Sequence, residues 1–189
     1  MPSDRLRTKE EIVSRLAGGD MTEGSCFSLA LAYIGNCAGY EVLDFRGGES
    51  CAFFSSRQTA QRIAELPTAR ASVIKGFDDL ACAARLLEEV EPGKEYCLAT
   101  GQHAAMIRKN GEKTEYLELQ HPSNGNGWHE LSGEILESRF GCAHTHSFAF
   151  TNFLIEADSL FDCDEFLELL GYINTSENEQ RKGVRGNVR

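Results

Sequence analysis

Three residues of the types that thiol hydrolases use follow one another along this chain: Cys26, His103 and Gln120. Cys26 comes after a Gly-Ser turn and before the apolar residues 27–33, a pattern that predicts a helix with the cysteine at its N-terminus. The partial positive charge of a helix N-terminus favours a thiolate, which is the nucleophile of thiol hydrolases. We therefore expect Cys26 to be a nucleophile, His103 its base, and Gln120 the residue whose carbonyl holds the imidazole.

The segment that contains His103 and Gln120 has the pattern of a β-hairpin. The stretches on both sides of Asn110-Gly111 are predicted strands, and Asn-Gly is a strong turn signal. Because the two arms are of similar length, His103 and Gln120 are expected to be neighbours across the strand pair. Glu118 alternates with Gln120 and so shares its face, which makes it a further candidate for substrate contact.

The rest of the chain predicts an α+β domain in which helices precede a meandering antiparallel sheet. Thr8 begins a capping-box helix that ends at Gly18-Gly19, and the helix after Cys26 is apolar on nearly all sides, which predicts a buried position. Further helices are predicted at residues 56–66, 78–90, 131–140 and 164–170, and strands at 40–45, 95–98, 102–108, 114–119 and 147–155.

Length and charge exclude several classes of protein. The 189 residues suit one domain, which we assign to residues 1–173, followed by a polar tail at 174–189 that is expected to be disordered. The formal net charge of −10 disfavours nucleic-acid binding. The sequence has no apolar run of about eighteen residues, so we predict no membrane span. The N-terminus lacks the apolar core of a signal peptide, so we expect a cytoplasmic protein, although secretion without a signal peptide would leave no trace.

The nucleophile and histidine segments resemble those of the papain-like cysteine protease and deamidase superfamily. Gly24-Ser25-Cys26 before an apolar helix is similar to its nucleophile segment, and GQHAAMI around His103, followed by a strand that ends in Gln120, is similar to the histidine segment of papain-fold toxin and deamidase domains. Such domains occur in bacterial toxins, secreted effectors and phage-encoded proteins, and some deamidate glutamine with Cys, His and Gln. The resemblance implies a papain-like fold with the nucleophile helix packed on an antiparallel sheet. It also implies a thiol amidohydrolase that acts, without a cofactor, on peptide bonds or glutamine carboxamides of a protein or peptide.

One stretch departs from the papain-like pattern, in which a glutamine before the cysteine helps to form the oxyanion hole. Residues 19–23 contain no glutamine, and two of them are acidic and would raise the pKa of a nearby thiol. The backbone N–H of Cys26 remains as one oxyanion donor, with Thr22 or Ser25 as the candidate second donor and Trp128 as a candidate shield against water. The departure also fits a second hypothesis, a catalytically silent papain-like module in a phage or toxin assembly.

The other cysteines offer two weaker interpretations. The chain has seven cysteines, no Cys-x-x-Cys pair and no signal peptide, so reduced thiols are expected. Cys37 lies at the C-terminal end of its predicted helix, where the dipole disfavours a thiolate. Cys142, His144 and His146 have the right side chains for zinc, but no partner motif accompanies them, so we expect an exposed loop or strand end and assign no metal.

Overall fold

A six-stranded antiparallel sheet lies at the centre of the computed structural model, which describes residues 6–16, 25–43, 53–54, 56–120, 125–171 and 173. The strands lie in the order β1-β6-β2-β3-β4-β5. Their bounds are β1 (Ala71–Gly76), β2 (Glu95–Thr100), β3 (His103–Asn110), β4 (Lys113–Glu118), β5 (Gly127–Glu130) and β6 (Phe150–Glu156). The strands β2 to β5 form the expected meander, whereas β6 returns to pair between β1 and β2.

Helices cover both faces of this sheet, so the fold class is α+β as predicted. One apolar layer contains core residues of α1, α2, α3 and α6, and the other contains those of α4 and α5. Within the described ranges the helices are α1 (Lys9–Leu16), α2 (Ser25–Cys37), α3 (Arg57–Ala64), α4 (Asp79–Glu88), α5 (Gly133–Ser138) and α6 (Asp164–Leu170), with a 3-10 helix at Ala157–Leu160. None of these described helices is long and apolar enough to cross a lipid bilayer.

The helix that carries Cys26 is buried, as its sequence predicts. Residues 27–36 of α2 are all buried, and the helix packs against β3 and α1. A helix that is apolar on all sides is stable only when other elements surround it. At its C-terminal end the Asn36 side chain donates to the carbonyls of Ala32 and Val42, at 2.8 Å and 2.5 Å.

Two local signals in the sequence are confirmed. Thr8 and Glu11 form the predicted capping box: Thr8 Oγ1 accepts from the Glu11 N–H at 3.2 Å, and Glu11 Oε2 accepts from the Thr8 N–H at 2.9 Å. Asn110 and Gly111 form the predicted turn between β3 and β4, with Asn110 opposite Lys113 and Gly111 at φ +62°. The hairpin that carries His103 therefore has the register that the turn sequence predicts.

Several expectations need correction. The strand predicted at residues 40–45 is wrong for its described part, since Tyr40 forms only an isolated bridge and residues 41–43 are not in a strand. Asn36 explains this, because its hydrogen bond ties Val42 to the end of α2. Strands β1 and β5 were not predicted, α5 is shorter than expected, and β6 begins at Phe150. The tail at 174–189 and the predicted end of α1 at Gly18-Gly19 lie outside the described residues.

Candidate active site

A cavity of about 420 Å³ lies beside the N-terminal end of α2. Cys26, the second residue of α2, lines it together with His103, the first residue of β3. Among the other described residues that line the cavity, the apolar ones are Phe27, Phe54, Ala60, Ala99, Ala104 and Phe153, the polar ones are Ser56, Arg57, Thr100, Gln102 and Thr151, and Gly101 completes the lining. A thiol and an imidazole therefore border one space whose lining mixes apolar and polar residues.

A narrower crevice runs between α2 and the β3–β4 hairpin. Cys26, His103 and Gln120 all line it. In the hairpin the cross-strand pairs run from Asn110 opposite Lys113 to Ile107 opposite Tyr116, and His103 and Gln120 lie beyond the last of these pairs. The three residues that the sequence singled out thus border the same crevice, although they lie far apart along the chain.

His103 is buried and its imidazole is neutral. Its exposed fraction is 9%, and no hydrogen bond joins its ring to another described residue. The ring stands edge-on against that of Phe140, which belongs to the apolar layer under α4 and α5. Burial, followed by the positive charge of Arg139, lowers the pKa of His103 to about 3, while the carboxylate of Glu118 acts in the opposite direction. A neutral imidazole has an unprotonated nitrogen, which is what a general base needs.

Gln120 lies in a polar cluster with the buried Glu118 and the half-buried Arg139. Arg139 Nη2 donates to Gln120 Oε1 at 3.3 Å, and the guanidinium donates twice to the Glu118 carboxylate, at 2.6 Å and 3.0 Å. Glu118 Oε1 also accepts from the backbone N–H of Gln120 at 2.9 Å. The side-chain oxygen of Gln120 therefore faces the Arg139 guanidinium, and its backbone N–H faces the Glu118 carboxylate.

Glu118 lines the crevice together with Gln120, and its carboxylate is paired with Arg139. Its side chain is 1% exposed, and both of its carboxylate oxygens accept hydrogen bonds from Arg139. Burial by itself would raise the pKa of Glu118, but the bonds from Arg139 and from the Gln120 N–H outweigh burial and lower it. Glu118 is therefore a buried carboxylate paired with an arginine.

The sequence did not point to Arg139 and Phe140. Arg139 caps the C-terminal end of α5, and Phe140 follows it. Their contacts with Glu118, Gln120 and His103 join residues that lie far apart along the chain, and no local pattern marks such contacts. The sequence places both residues inside the helix predicted at 131–140, whereas the helix ends at Ser138.

Of the three predicted substrate-binding residues, the structure places Trp128 away from the cavity and the crevice. Trp128 lies in β5 opposite Leu117, with the guanidinium of Arg108 4.1 Å above its ring, and it is not among the residues that line the cavity or the crevice. Ser25 is the first residue of α2. Thr22, together with the acidic residues at 20 and 23, lies outside the described residues.

Cys37 remains the weaker candidate for a nucleophile. Burial raises the pKa of its thiol to about 11, with a further contribution from the carboxylate of Glu95. A thiol of that pKa is protonated at neutral pH and reacts slowly. Of the cysteines in the described ranges, Cys26 is the one that lines the cavity beside α2.

The three residues considered for zinc bind other partners. Cys142 is buried, with its sulfur 3.6 Å from Thr100 Oγ1. His146 Nε2 lies 2.6 Å from the buried carboxylate of Asp79, and His144 faces Asp78 at 3.7 Å. Among the residues that the structure describes, no group of three or more His, Cys, Asp or Glu side chains could hold a metal ion.

Comparisons of this chain with protein-family models, with curated proteins and with solved structures found no match.

Proposed function

We propose that this chain is a papain-like thiol amidohydrolase in which Cys26 is the nucleophile, His103 the base and Gln120 the residue that orients His103. The observation that carries the proposal is that Cys26, in the first turn of α2, borders one crevice with His103 and Gln120. A cysteine at a helix N-terminus beside a neutral imidazole is the arrangement from which a reactive thiolate is generated.

The reaction needs no group beyond these side chains and water. His103 accepts the proton of the Cys26 thiol, and the sulfur attacks the carbonyl carbon of the substrate amide. The backbone N–H of Cys26 lies at the helix start, where it can donate to the developing oxyanion. The tetrahedral intermediate collapses, His103 gives its proton to the leaving nitrogen, and a thioester on Cys26 remains. Water, deprotonated by His103, then attacks the thioester and releases a carboxylate and the free thiol.

The substrate is a protein or peptide, attacked at a backbone amide or at a glutamine carboxamide. The two reactions share every step except the group that leaves, which is an amine in peptide cleavage and ammonia in deamidation. The cavity of about 420 Å³ falls within the usual size range of small-ligand pockets, which is enough for a side chain and its neighbouring backbone.

The first test is the alkylation of each cysteine by iodoacetamide across pH, followed by peptide mass spectrometry. In the wild type we expect Cys26 to react at a pH well below about 8.5, the usual pKa of a free thiol. In His103→Ala we expect that advantage to disappear, with Cys37 as the internal reference in both proteins. A Cys26 that reacts no faster than Cys37 would defeat the proposal.

Where Cys26 is reactive, a second assay with glutamine-containing peptides distinguishes the two reactions. Release of ammonia indicates deamidation and new N-termini indicate peptide cleavage, with Cys26→Ala as the blank.

A catalytically silent module is the second candidate, and one observation favours it. The His103 ring contacts Phe140 and forms no hydrogen bond with the other described residues, and its pKa of about 3 opposes the imidazolium that must form during turnover. In such a module the crevice residues only stabilise the fold. Slow alkylation of Cys26 with no dependence on His103 is the result that this alternative predicts.

A further inference from the structure

Two consecutive residues after α5 contact both hairpin residues of the proposed site. Arg139 Nη2 donates to Gln120 Oε1 at 3.3 Å, and the Phe140 ring packs against the His103 ring with centroids 4.9 Å apart. The Phe140 carbonyl also accepts from the backbone N–H of Gln102 at 2.7 Å, beside His103. One short segment therefore contacts both the start of β3 and Gln120, the second residue after the end of β4.

The guanidinium determines which way the Gln120 side chain points. Arginine has only donors, so the amide atom that it contacts at 3.3 Å is the oxygen of Gln120. Arg139 is itself fixed by two hydrogen bonds to the Glu118 carboxylate, a fork geometry that lysine cannot reproduce. Because Glu118 also accepts from the Gln120 backbone N–H, both the backbone and the side chain of Gln120 are restrained.

The charges of this cluster also act on the proposed nucleophile and base. His103 faces the positive charge of Arg139 and the negative charge of Glu118. Burial lowers the pKa of Arg139, but its hydrogen bonds and charge interaction with Glu118, together with the charge of Tyr116, raise it overall. The negative charge of a Cys26 thiolate contributes to the same increase. Because a charge interaction is mutual, Arg139 in turn favours the thiolate of Cys26 and the neutral form of His103.

We propose that Arg139 is a positioning residue of this site, which with Glu118 fixes Gln120 beside His103 and Cys26. The proposal rests on the proposed function, because it assigns a role within the same crevice. Arg139 does not touch substrate in this proposal. It is also distant in sequence from Cys26, His103 and Gln120. Substitution of Arg139 should change the chemistry of Cys26 and His103 and not only the stability of the fold.

Arg108 provides a matched control for this test. Like Arg139 it is a partly buried arginine paired with a glutamate of β4, since its Nε lies 2.7 Å from Glu115. It stacks over Trp128 and does not line the cavity or the crevice. Loss of Arg108 therefore removes a comparable ion pair from the same hairpin without altering the group that holds Gln120.

The experiment compares Arg139→Gln, Arg139→Lys and Arg108→Gln with the wild type. Its readouts are the alkylation rate of Cys26 at pH 7 and the NMR titration of the His103 ring, with near-UV circular dichroism to confirm folding. We expect Arg139→Gln to slow the alkylation of Cys26 by about tenfold, which corresponds to about one pKa unit. It should also let His103 take up a proton at higher pH. Arg139→Lys, which keeps the charge but not the fork, should lose about threefold, and Arg108→Gln should match the wild type.

The proposal is overturned if folded Arg139→Gln shows the Cys26 rate and the His103 titration of the wild type. Should Arg139→Gln fail to fold, Arg139→Lys decides the question, and an unchanged rate in that variant is then sufficient to reject the role. Failure of the proposed function looks different. In that case wild-type Cys26 reacts no faster than Cys37, whatever residue stands at 139, while the His103 titration still reports whether Arg139 controls the imidazole.

Discussion

The ring of Phe140 stands edge-on against the ring of His103, with their planes 78° apart. Phe140 is fully buried, and its partner is 9% exposed. An edge-to-face pair contributes about 0.5–1.5 kcal/mol beyond the burial of its area. Because no hydrogen bond to a described residue orients the imidazole, this ring contact is the main restraint on how His103 faces the crevice.

Phe140→Leu should therefore alter His103 as well as the stability of the fold. We expect the free energy of unfolding to fall by about 1–2 kcal/mol, from lost volume and lost ring contact. Urea unfolding measures that loss. Phe166→Leu is the matched control, because Phe166 is equally buried but lies in the other apolar layer. Both variants should lose stability, and Phe140→Leu alone should shift the His103 ring resonances. Equal shifts in the two variants would contradict this assignment.

The stability of the protein should depend on pH through His103. Its folded pKa of about 3 lies below the ordinary value of 6.5 in the unfolded chain. Above pH 6.5 the imidazole is largely neutral in both the folded and the unfolded state, so it does not change the free energy of unfolding. As the pH falls from 6.5 towards 3, only the unfolded state takes up the proton, and the free energy of unfolding decreases. For a single proton the expected loss between pH 7 and pH 5 is about 2 kcal/mol.

His103→Asn provides the control for that pH dependence. Asparagine cannot titrate, so the variant should lose about 2 kcal/mol less than the wild type between pH 7 and pH 5. Urea unfolding at the two pH values gives both numbers. If the two proteins showed the same slope, the imidazole would not be held neutral by burial, and the account of His103 as a preformed base would have to be abandoned.

Much of the hairpin could be predicted from the sequence because its signals are local. Asn110-Gly111 favours a tight turn, and the alternation on either side predicts two strands, so the pairing of β3 with β4 follows from counting outward from the turn. The edge strands were missed for a physical reason. β1 is only half-buried and carries Ser72 and Lys75, and β5 has four residues and begins with glycine, so neither has the apolar alternation of a core strand.

The supporting residues of the site could not be predicted in this way. Arg139 meets Glu118 and Gln120 only because α5 returns across the sheet, and its partners are set by tertiary packing. Alternation along β4 predicts that Glu118 shares a face with Gln120, but its burial depends on an arginine whose position no local pattern reveals. The ion pair between Glu118 and Arg139 is therefore visible only in the folded structure.

The reactivity of Cys37 should be limited by burial and by Glu95. The Tyr33 hydroxyl donates to Glu95 Oε2 at 3.0 Å, and the charge of this carboxylate, after burial, raises the pKa of the Cys37 thiol. Glu95→Gln keeps the shape and removes the charge, so alkylation of Cys37 at pH 9 should accelerate by about five- to tenfold. Cys26 in the same sample is the control and should be unaffected. An unchanged Cys37 rate would mean that burial alone protects this thiol.

The turn before His103 should tolerate no side chain at Gly101. Gly101 has φ +56°, and a Cβ added there would lie 2.9 Å from the Cys142 backbone nitrogen and closer still to the Phe140 carbonyl oxygen. The positive φ alone costs a residue with a Cβ about 1–2 kcal/mol, and the clash adds to this because backbone atoms cannot rotate away. Gly101→Ala should therefore lower the free energy of unfolding by more than about 2 kcal/mol.

Gly111→Ala separates backbone strain from the clash. Gly111 has a similar φ of +62°, but no atom lies within 4 Å of an added Cβ. This variant should lose only the strain energy, about 1–2 kcal/mol, and leave Cys26 as reactive as in the wild type. In Gly101→Ala the segment after α5 must move away from the start of β3, so Cys26 alkylation should slow together with the loss of stability. If the two alanine variants were equally stable and Cys26 reacted equally fast in both, the contact of this segment with the β2–β3 turn would not control the site.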